Sequence, residues 1–427
     1  MAHVVFIETT RPGIQAIEAA KRLGHKVSLV TSGNFDWLLT PAELATVRDS
    51  VDAIYSAPST QSADDCERAL IECMAVEPID AVLTVFHPCV LPATTAAARL
   101  GLKATSVEGV MNARDKARCR DLIQQADLPS VQFRRVSGFE EARQAALAIG
   151  YPVVVKPSTG LAKMMVKIIA NEPALIAYFE QYNQSLAALD EAMRAEIDDI
   201  FVVEEVAVGP LFSIEVAVSA HDEWMPLAIL RRKTGRRNPV LEMGSTMPSG
   251  LSDDEYQVAA DYAIAIVKAL GLDLGIFHVE FIYTANGPRL VEVNPRIAGG
   301  AIPDLINAST GVNLFELLVR IHTGERLGLG RLASQTYSSH SFIAAEQDCT
   351  VREDLPEDWF SPIRAQLHSG VANIKAGQFL QHMEGNFSTY GVIRVSGNSY
   401  AEVVEKVALK HAAVEQILGV KLVPISD

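Results

Sequence analysis

Two glutamates, Glu280 and Glu292, interrupt runs that otherwise read as buried strand: "HVEFIYTANGPRLVEVNPR" occupies residues 278–296. Asn286-Gly287 lies between the runs and marks a hairpin, because both residue types accept the left-handed backbone of a tight turn. Side chains alternate between the two faces of a strand, so the pairing register decides whether the carboxylates meet. A two-residue Asn-Gly turn puts them on opposite faces. A three-residue loop, Ala285-Asn286-Gly287 with Gly287 left-handed, sets Glu280 opposite Glu292 and His278 opposite Asn294. That register gathers His278, Glu280, Glu292 and Asn294 on one face, and Phe277, Val279, Phe281, Tyr283, Val291 and Val293 on the other. The clean split predicts this loop, or another odd-length loop of the same parity.

Directly opposed residues have Cβ atoms about 4.5–5.5 Å apart, and two carboxylates at that spacing repel unless a positive charge lies between them. Two Glu and one Asn offer hard oxygen donors, a set that suits Mg²⁺ with phosphate oxygens and water completing the shell. The competing reading is an edge hairpin with one wet face. The residues after the hairpin favour a phosphate site. In "NPRIAGG", Pro295 stops the strand, Arg296 offers a planar donor fork, and Gly299-Gly300 let backbone amides approach a ligand.

Lys156 sits in the β-branched run "YPVVVKPS", and Lys116 lies in "NARDKARCRDLI" beside Arg114, Arg118 and Arg120. Each alone reads as a surface lysine; together they supply point charges for a polyphosphate. "KPSTGLAKMMVKI" reads as strand, loop and strand, and with Gly160 as its single glycine it is a poor match to a glycine-rich phosphate cradle. "FVVEEVAVG" ends a strand at Glu204-Glu205. It is either a hinge offering backbone groups to a purine edge or the end of a surface strand. Arg231, Arg232 and Lys233 in "LRRKTGRR" read as a solvated run, with a substrate-carboxylate site as the other reading. Cys89, two residues after His87, reads as a small apolar filler near a strand end rather than a nucleophile.

The elements that must hold these residues follow from the apolar pattern. The opening alternates short strands ("HVVFIE", "KVSLVT", "AVLTVF") with helices closed by Gly24 and Gly101, which predicts a parallel, doubly wound sheet over residues 1–112. Its first strand–helix turn, "ETTRPGIQ", has one glycine, so the phosphate loop of a nicotinamide dinucleotide site is missing. From 113 to 325, helical stretches at 113–126, 139–149, 172–195 and 252–271 interleave with Val/Ile-rich runs, an α+β pattern with antiparallel strands. Residues 326–427 add the strands "SHSFIAA" and "YGVIRVS" and a helix near 399–417. The 427 residues carry a net charge of −15, which argues against nucleic acid as a partner. Five cysteines without a C-x-x-C pair argue against a disulfide framework or zinc site and for a reducing cytoplasm. The N-terminus lacks a signal-peptide pattern, and the absence of a long apolar run predicts no membrane span.

Taken in order, "ARDKARCR", "HVEF…LVEVNPRIAGG" and "TGVNLFELLVRIHTGE" resemble the ATP-grasp enzymes, and within them the carboxylate–amine ligases of the L-amino acid ligase (dipeptide synthetase) type. The similarity covers nearly the whole chain. It implies an α/β and α+β architecture: an N-terminal doubly wound domain (1–112), an ATP-grasp core (113–325) with a mobile lid near 157–200, and a small C-terminal α+β domain (326–427). It implies Lys116 and Lys156 as nucleotide-phosphate lysines, Glu204, Glu205 and Val206 as the adenine hinge, and His278 at the phosphates. Glu280, Glu292 and Asn294 become ligands of two Mg²⁺ ions, with Mn²⁺ as a substitute. Arg296 becomes the catalytic arginine that holds the transferred phosphate and the tetrahedral intermediate. Glu242 and Gly244 in "LEMGSTMP" resemble a substrate-side loop, and Gly299-Gly300 a turn near the acyl group.

Two features depart from the family pattern. The loop "TGLAKMM" is poor in glycine. The position that usually carries a ribose-binding acid is Leu211, and Glu215 on the next strand is the acid that reaches either the nucleotide or the amine substrate. The implied activity joins a carboxylate to an amine through an acyl phosphate, consuming ATP and releasing ADP and phosphate. Its products would be a dipeptide or small peptide-like antibiotic made from amino-acid-like substrates. An ATP-grasp carboxylase using bicarbonate and a catalytically silent nucleotide-binding module are the alternatives. Monomers and homodimers both occur in the family.

Overall fold

Four short strands open the chain in parallel: β1 (His3–Ile7), β2 (Lys26–Thr31), β3 (Ala53–Ser56) and β4 (Ala81–Leu83). The computed structural model describes the chain apart from Leu161, Ala162, Met164, Asp190, Ala195, Asn386, Phe387 and Asp427, and apart from the side chains of Ala192 and Met193. The first sheet runs β3-β2-β1-β4, so strand order reverses between β1 and β4. Such a reversal leaves a crevice at the carboxyl ends of the strands. Glu8, at the end of β1, and His87, just beyond β4, lie there. β3 was not expected. It alternates half-buried and exposed residues over only four positions, too short a run to carry a period.

A second, antiparallel sheet of β5 (Phe133–Val136), β6 (Val153–Pro157), β7 (Lys167–Ile169) and β8 (Phe201–Glu205) runs in the order β5-β8-β6-β7. Helices Phe139–Ile149 and Glu172–Ala187 pack onto it, burying Val136, Val153, Val155, Leu175, Phe201 and Val203 together. The second of these helices was expected to reach 195. It stops at Ala187, and a short helix Glu191–Arg194 follows.

The largest sheet holds β9 (Leu211–Val218), β10 (Trp224–Gly235), β11 (Glu242–Met247), β12 (Gly275–Thr284) and β13 (Gly287–Asn294). It continues past residue 325 with β14 (Tyr337–Ile343), β16 (Ser369–Ala372) and β18 (Gly391–Gly397), in the order β13-β12-β9-β10-β11-β14-β18-β16. β15 (Cys349–Thr350) and β17 (Phe379–Leu380) form a separate ladder, and β19 (Ile425–Ser426) pairs with β10. Helix Asp253–Leu270 covers one face, against Phe212, Ile214, Val216, Val279, Phe281 and Val293. The C-terminal segment has its own cluster, including Ile343, Trp359, Phe360 and Val414, under helix Tyr400–Leu418. Among the described residues, no helix is long and apolar enough to cross a membrane.

The opposite face of this sheet carries a polar strip. Pairing links Glu292, Glu280 and Ser213 on β9, and separately Arg232 on β10, Ser245, His340 and Arg394. Leu230 stands opposite Ser213, and Arg232 Nη1 joins the two parts by donating to the Ser213 hydroxyl at 3.4 Å. This corrects the reading of "LRRKTGRR" as a solvated run. Its first part is strand interior, with Arg232 at 6% and Lys233 at 1% exposure. Composition suggested water, but β10 lies between two other strands, and Glu242 on the adjacent strand β11 supplies compensating charge to Arg232. "LEMGSTMP" is likewise mostly a buried strand, β11, and not a loop.

Candidate active site

β12 and β13 pair Glu280 with Glu292 and His278 with Asn294, but by a different route from the one expected. Thr284 pairs with Gly287, so the turn is the two residues Ala285-Asn286, with Gly287 at φ +88° just beyond it. Carried along the hairpin, that register would put Val291 opposite Glu280. Instead the pairing steps from Phe281–Leu290 to Glu280–Glu292, and Val291 is the extra residue of a β-bulge. Val291 therefore leaves the apolar face assigned to it, and Leu290, 2% exposed, takes that place in the core. The bulge turns the Val291 carbonyl toward Arg120 Nη2 (3.0 Å) and Lys156 Nζ (3.5 Å).

A cation lies between the acids. Lys163 Nζ is 2.6 Å from Glu280, 3.2 Å from Glu242 and 3.5 Å from Glu292. Burial acts to lower the lysine's pKa, but the three carboxylates hold it well above the usual value. Burial likewise acts to raise both Glu280 and Glu292, but Lys163 together with His278 and Arg232 at Glu280, and with Lys116 and Lys156 at Glu292, offsets it, so both are lowered. Lys163 was not singled out in the sequence. The available signal was a lysine inside the loop where glycines were sought. Leu161, Ala162 and Met164 of that loop, and Asp190 and Ala195 elsewhere in the 157–200 stretch expected to be mobile, lie outside the described residues.

The donor set fits magnesium. Its carboxylates face one point, already hold a positive group there, and are joined by the amide of Asn294, whose Nδ2 donates to Glu292 Oε1 at 3.3 Å. Among the described residues, no three His, Cys, Asp or Glu side chains form a metal-holding group. An ion here would rest on the two carboxylates and the amide and draw its remaining oxygens from phosphate and water.

Beside the acids, a cavity of about 480 Å³ opens between the second sheet and the largest sheet. Val154 and Ile168 line it from one sheet, Leu211, Ile282 and Leu290 from the other. Lys156, Lys163 and Glu292 also reach it, and Glu204, Glu205, Val206 and Ala207 form an edge. Apolar walls with a few polar groups at the margins suit a heteroaromatic ring bearing a charged tail. Lys156 Nζ is 2.7 Å from one oxygen of Glu204, and Arg120 Nε is 3.0 Å from the other. Arg120, 1% exposed, also donates to the carbonyls of Leu290 (2.8 Å) and Val291. Burial brings Lys156 down to about 8 against the pull of Glu204. Both Glu204 oxygens are thus engaged by cations. Glu205 exchanges two hydrogen bonds with the Gln132 backbone. Arg120 had a legible signal, four residues after Lys116 on one helix and so on the same side. Lys116 borders a small adjoining cavity with Gly160, Lys163 and Glu292.

His278 is held at both ring nitrogens, Nδ1 2.5 Å from Glu215 and Nε2 3.2 Å from Glu280. Burial acts to lower its pKa, and the two carboxylates raise it to about 9. Glu215 is fully buried, and its second oxygen accepts from the Ala298 amide at 3.1 Å. Left open between nucleotide and amine, Glu215 instead ties His278 to the turn after Arg296. Arg296 donates to the Ile297 carbonyl (2.8 Å), and its Nε is buried with no hydrogen-bond partner among the described residues. A guanidinium with a donor to spare is suited to an anion.

Gly300 is exposed at φ +61°, and a Cβ on Gly299 would come within 3.6 Å of Arg296 Nη1. Glu242 belongs to the acid cluster and meets Arg232 at 2.6 Å. Gly244 has a packing reason of its own, because a Cβ there would lie 2.1 Å from the His340 carbonyl on β14. His87 was missed as a site residue. Burial, Arg296, Arg114 and Lys116 together hold its ring well below the ordinary value, and its Nδ1 is buried without a partner among the described residues. Cys89 is buried, which pushes its thiol well above the usual range.

A parallel crevice domain, a small antiparallel sheet and a large sheet with facing acids define the ATP-grasp class of nucleotide-binding folds. Family models described as the ATP-grasp domain and the ATP-grasp N-terminal domain match residues 149–304 and 17–102. The L-amino acid ligase from Bacillus licheniformis superposes with a TM-score of 0.75 at 20% identity, over 97% of both chains. The biotin carboxylase domain of Hydrogenobacter thermophilus 2-oxoglutarate carboxylase, solved with MgADP, ADP and bicarbonate, gives 0.70 at 19% identity over 100% of this chain and 92% of that one. Both are likenesses of fold. In sequence, the alanine–anticapsin ligase of Bacillus amyloliquefaciens is 28% identical over 256 residues, 57% of this chain and 54% of that protein. The chain spans about half the length of the curated relatives it matches. The chain belongs to the ATP-grasp superfamily.

Proposed function

We propose that this chain is an ATP-dependent carboxylate–amine ligase that forms an amide bond through an acyl phosphate. The observation that carries the reading is the facing pair Glu280–Glu292, closed around a cation at one end of the nucleotide-sized cavity, with Arg296 beside it. In this reading a substrate carboxylate oxygen attacks the γ-phosphorus of ATP, the bond to the β-phosphate breaks, and ADP leaves. An amine nitrogen then attacks the acyl carbon and loses a proton, and phosphate departs. Positioning and charge neutralisation carry such a reaction. Glu280, Glu292 and Asn294 would hold Mg²⁺, which would supply charge neutralisation at the phosphates. Lys116 and Lys163 flank the path of the triphosphate, and Lys156, fixed by Glu204, stands beside the cavity wall. Arg296 meets the oxygens of the transferring group and of the tetrahedral adduct. His87, from the N-terminal crevice, lies within electrostatic reach of Arg296, Arg114 and Lys116.

Amino-acid-like substrates are favoured by the likeness to an L-amino acid ligase and to alanine–anticapsin ligase, which support a dipeptide-type product. The fold likeness to a carboxylase complex that contains bicarbonate supports the second reading. The deciding experiment measures ADP release from Mg·ATP with paired carboxylates and amines, with mass detection of products, beside a bicarbonate arm. Release that needs an amine and yields an amide mass is expected. Release driven by bicarbonate alone would replace the ligase with a carboxylase, and no release with any pair would remove both.

A further inference from the structure

Lys163 occupies a position that the ligase reading alone does not explain, although the role inferred for it rests on that reading. Its ammonium contacts Glu280, Glu242 and Glu292, and its side chain lines both the nucleotide cavity and the small cavity shared with Lys116. It therefore stands where the end of a triphosphate must meet the acids. Glu280 is engaged on both oxygens, Oε2 by Lys163 and Oε1 by His278. A divalent ion cannot take Glu280 Oε2 while the ammonium is 2.6 Å from it. Lys163 and Met165 also hold positive φ, +61° and +56°, which is costly for residues with side chains and persists only where contacts enforce it. The strained backbone at Lys163 and its acid contacts thus support each other. Once divalent charge neutralises Glu280 and Glu292, the ammonium keeps only Glu242 of its three acids and is free to meet the terminal phosphate as well.

We propose that Lys163 is a catalytic cation: without nucleotide it takes the place of the divalent ion between Glu280 and Glu292, and it passes to the terminal phosphate when metal and ATP enter together. Metal alone should then bind poorly. Mn²⁺ titration of the full chain without nucleotide, read by electron paramagnetic resonance, tests this. Lys163→Met should bind Mn²⁺ at least tenfold more tightly than wild type, and Lys163→Arg should match wild type. If the Met variant does not fold, Lys163→Gln makes the same comparison. Equal Mn²⁺ affinity in the neutral variant and wild type overturns the displacement. At saturating Mg·ATP, ADP release by the neutral variant should fall at least tenfold, and unchanged release overturns the phosphate contact. A wild-type chain that shows the Mn²⁺ contrast but releases no ADP with any substrate pair would sink the ligase reading and leave the displacement standing.

Discussion

Arg120, Glu204 and Lys156 form an ion triplet beneath the nucleotide cavity, all three side chains nearly inaccessible to water. Such a triplet is weak evidence for stability, since desolvation offsets much of the attraction, but removing Glu204 leaves two buried cations without their shared anion. Glu204→Gln should therefore cost about 3–5 kcal/mol in urea unfolding. A change below about 1 kcal/mol would mean that water reaches Arg120 and Lys156. Glu292→Gln acts differently, because Lys163 keeps Glu280 and Glu242 as partners. The folded state should survive with its thermal midpoint nearly unchanged while ADP release is lost. Normal turnover in that variant would rule out the metal-holding role.

At the scale of elements, two strand features set the site. The bulge at Val291 keeps Glu292 on the face of Glu280 despite an even-length turn, and it aims a carbonyl at Arg120 and Lys156. Gly244 lets β11 lie close against β14, which holds Glu242 toward Lys163 and Arg232. Gly244→Ala brings a Cβ into the His340 carbonyl at a φ of +147°. Overpacking of this kind costs about 1–3 kcal/mol, and the backbone strain adds to it. The urea midpoint should fall accordingly, and ADP release should fall with it as Glu242 shifts. A stable, fully active variant would show that β11 can slide without disturbing the acids.

At the scale of the molecule, the three larger sheets meet at the site. His87 comes from the end of the parallel sheet, Lys156 and Lys163 from the second sheet and the loop beyond β6, and the acids from the largest. The packing that joins these parts includes two histidines held neutral. Burial lowers His322, near Thr84 and Phe277 around a cavity of about 40 Å³, to about 4. Burial also lowers His411, on the C-terminal helix, to about 4. Both titrate near 6.5 once unfolded, so the unfolded chain binds more protons between about pH 6.5 and 4. Their contribution is fully present above about pH 6.5 and is lost as pH falls toward 4. At pH 5 the loss is about 2 kcal/mol for each. Urea unfolding at about pH 7 and pH 5 should show a smaller drop for His322→Gln than for wild type. An equal drop would place the acid sensitivity elsewhere.

Local patterning was enough to read the strand–helix alternation, the hairpin, and the facing of Glu280 and Glu292, because period-two burial and turn chemistry act over neighbouring residues. Three things were beyond it: the bulge that achieves the facing, the burial of Arg232 and Lys233, and the meeting of Lys163 with the acids. Lys163 and Glu280 are 117 residues apart, and Arg120 and the Leu290 carbonyl are 170 apart. A charged side chain looks solvated in sequence until its distant partner is known. Strand pairing within a sheet for Arg232, and packing of separate elements for Lys163 and Arg120, supply that partner and offset the cost of burying the charge.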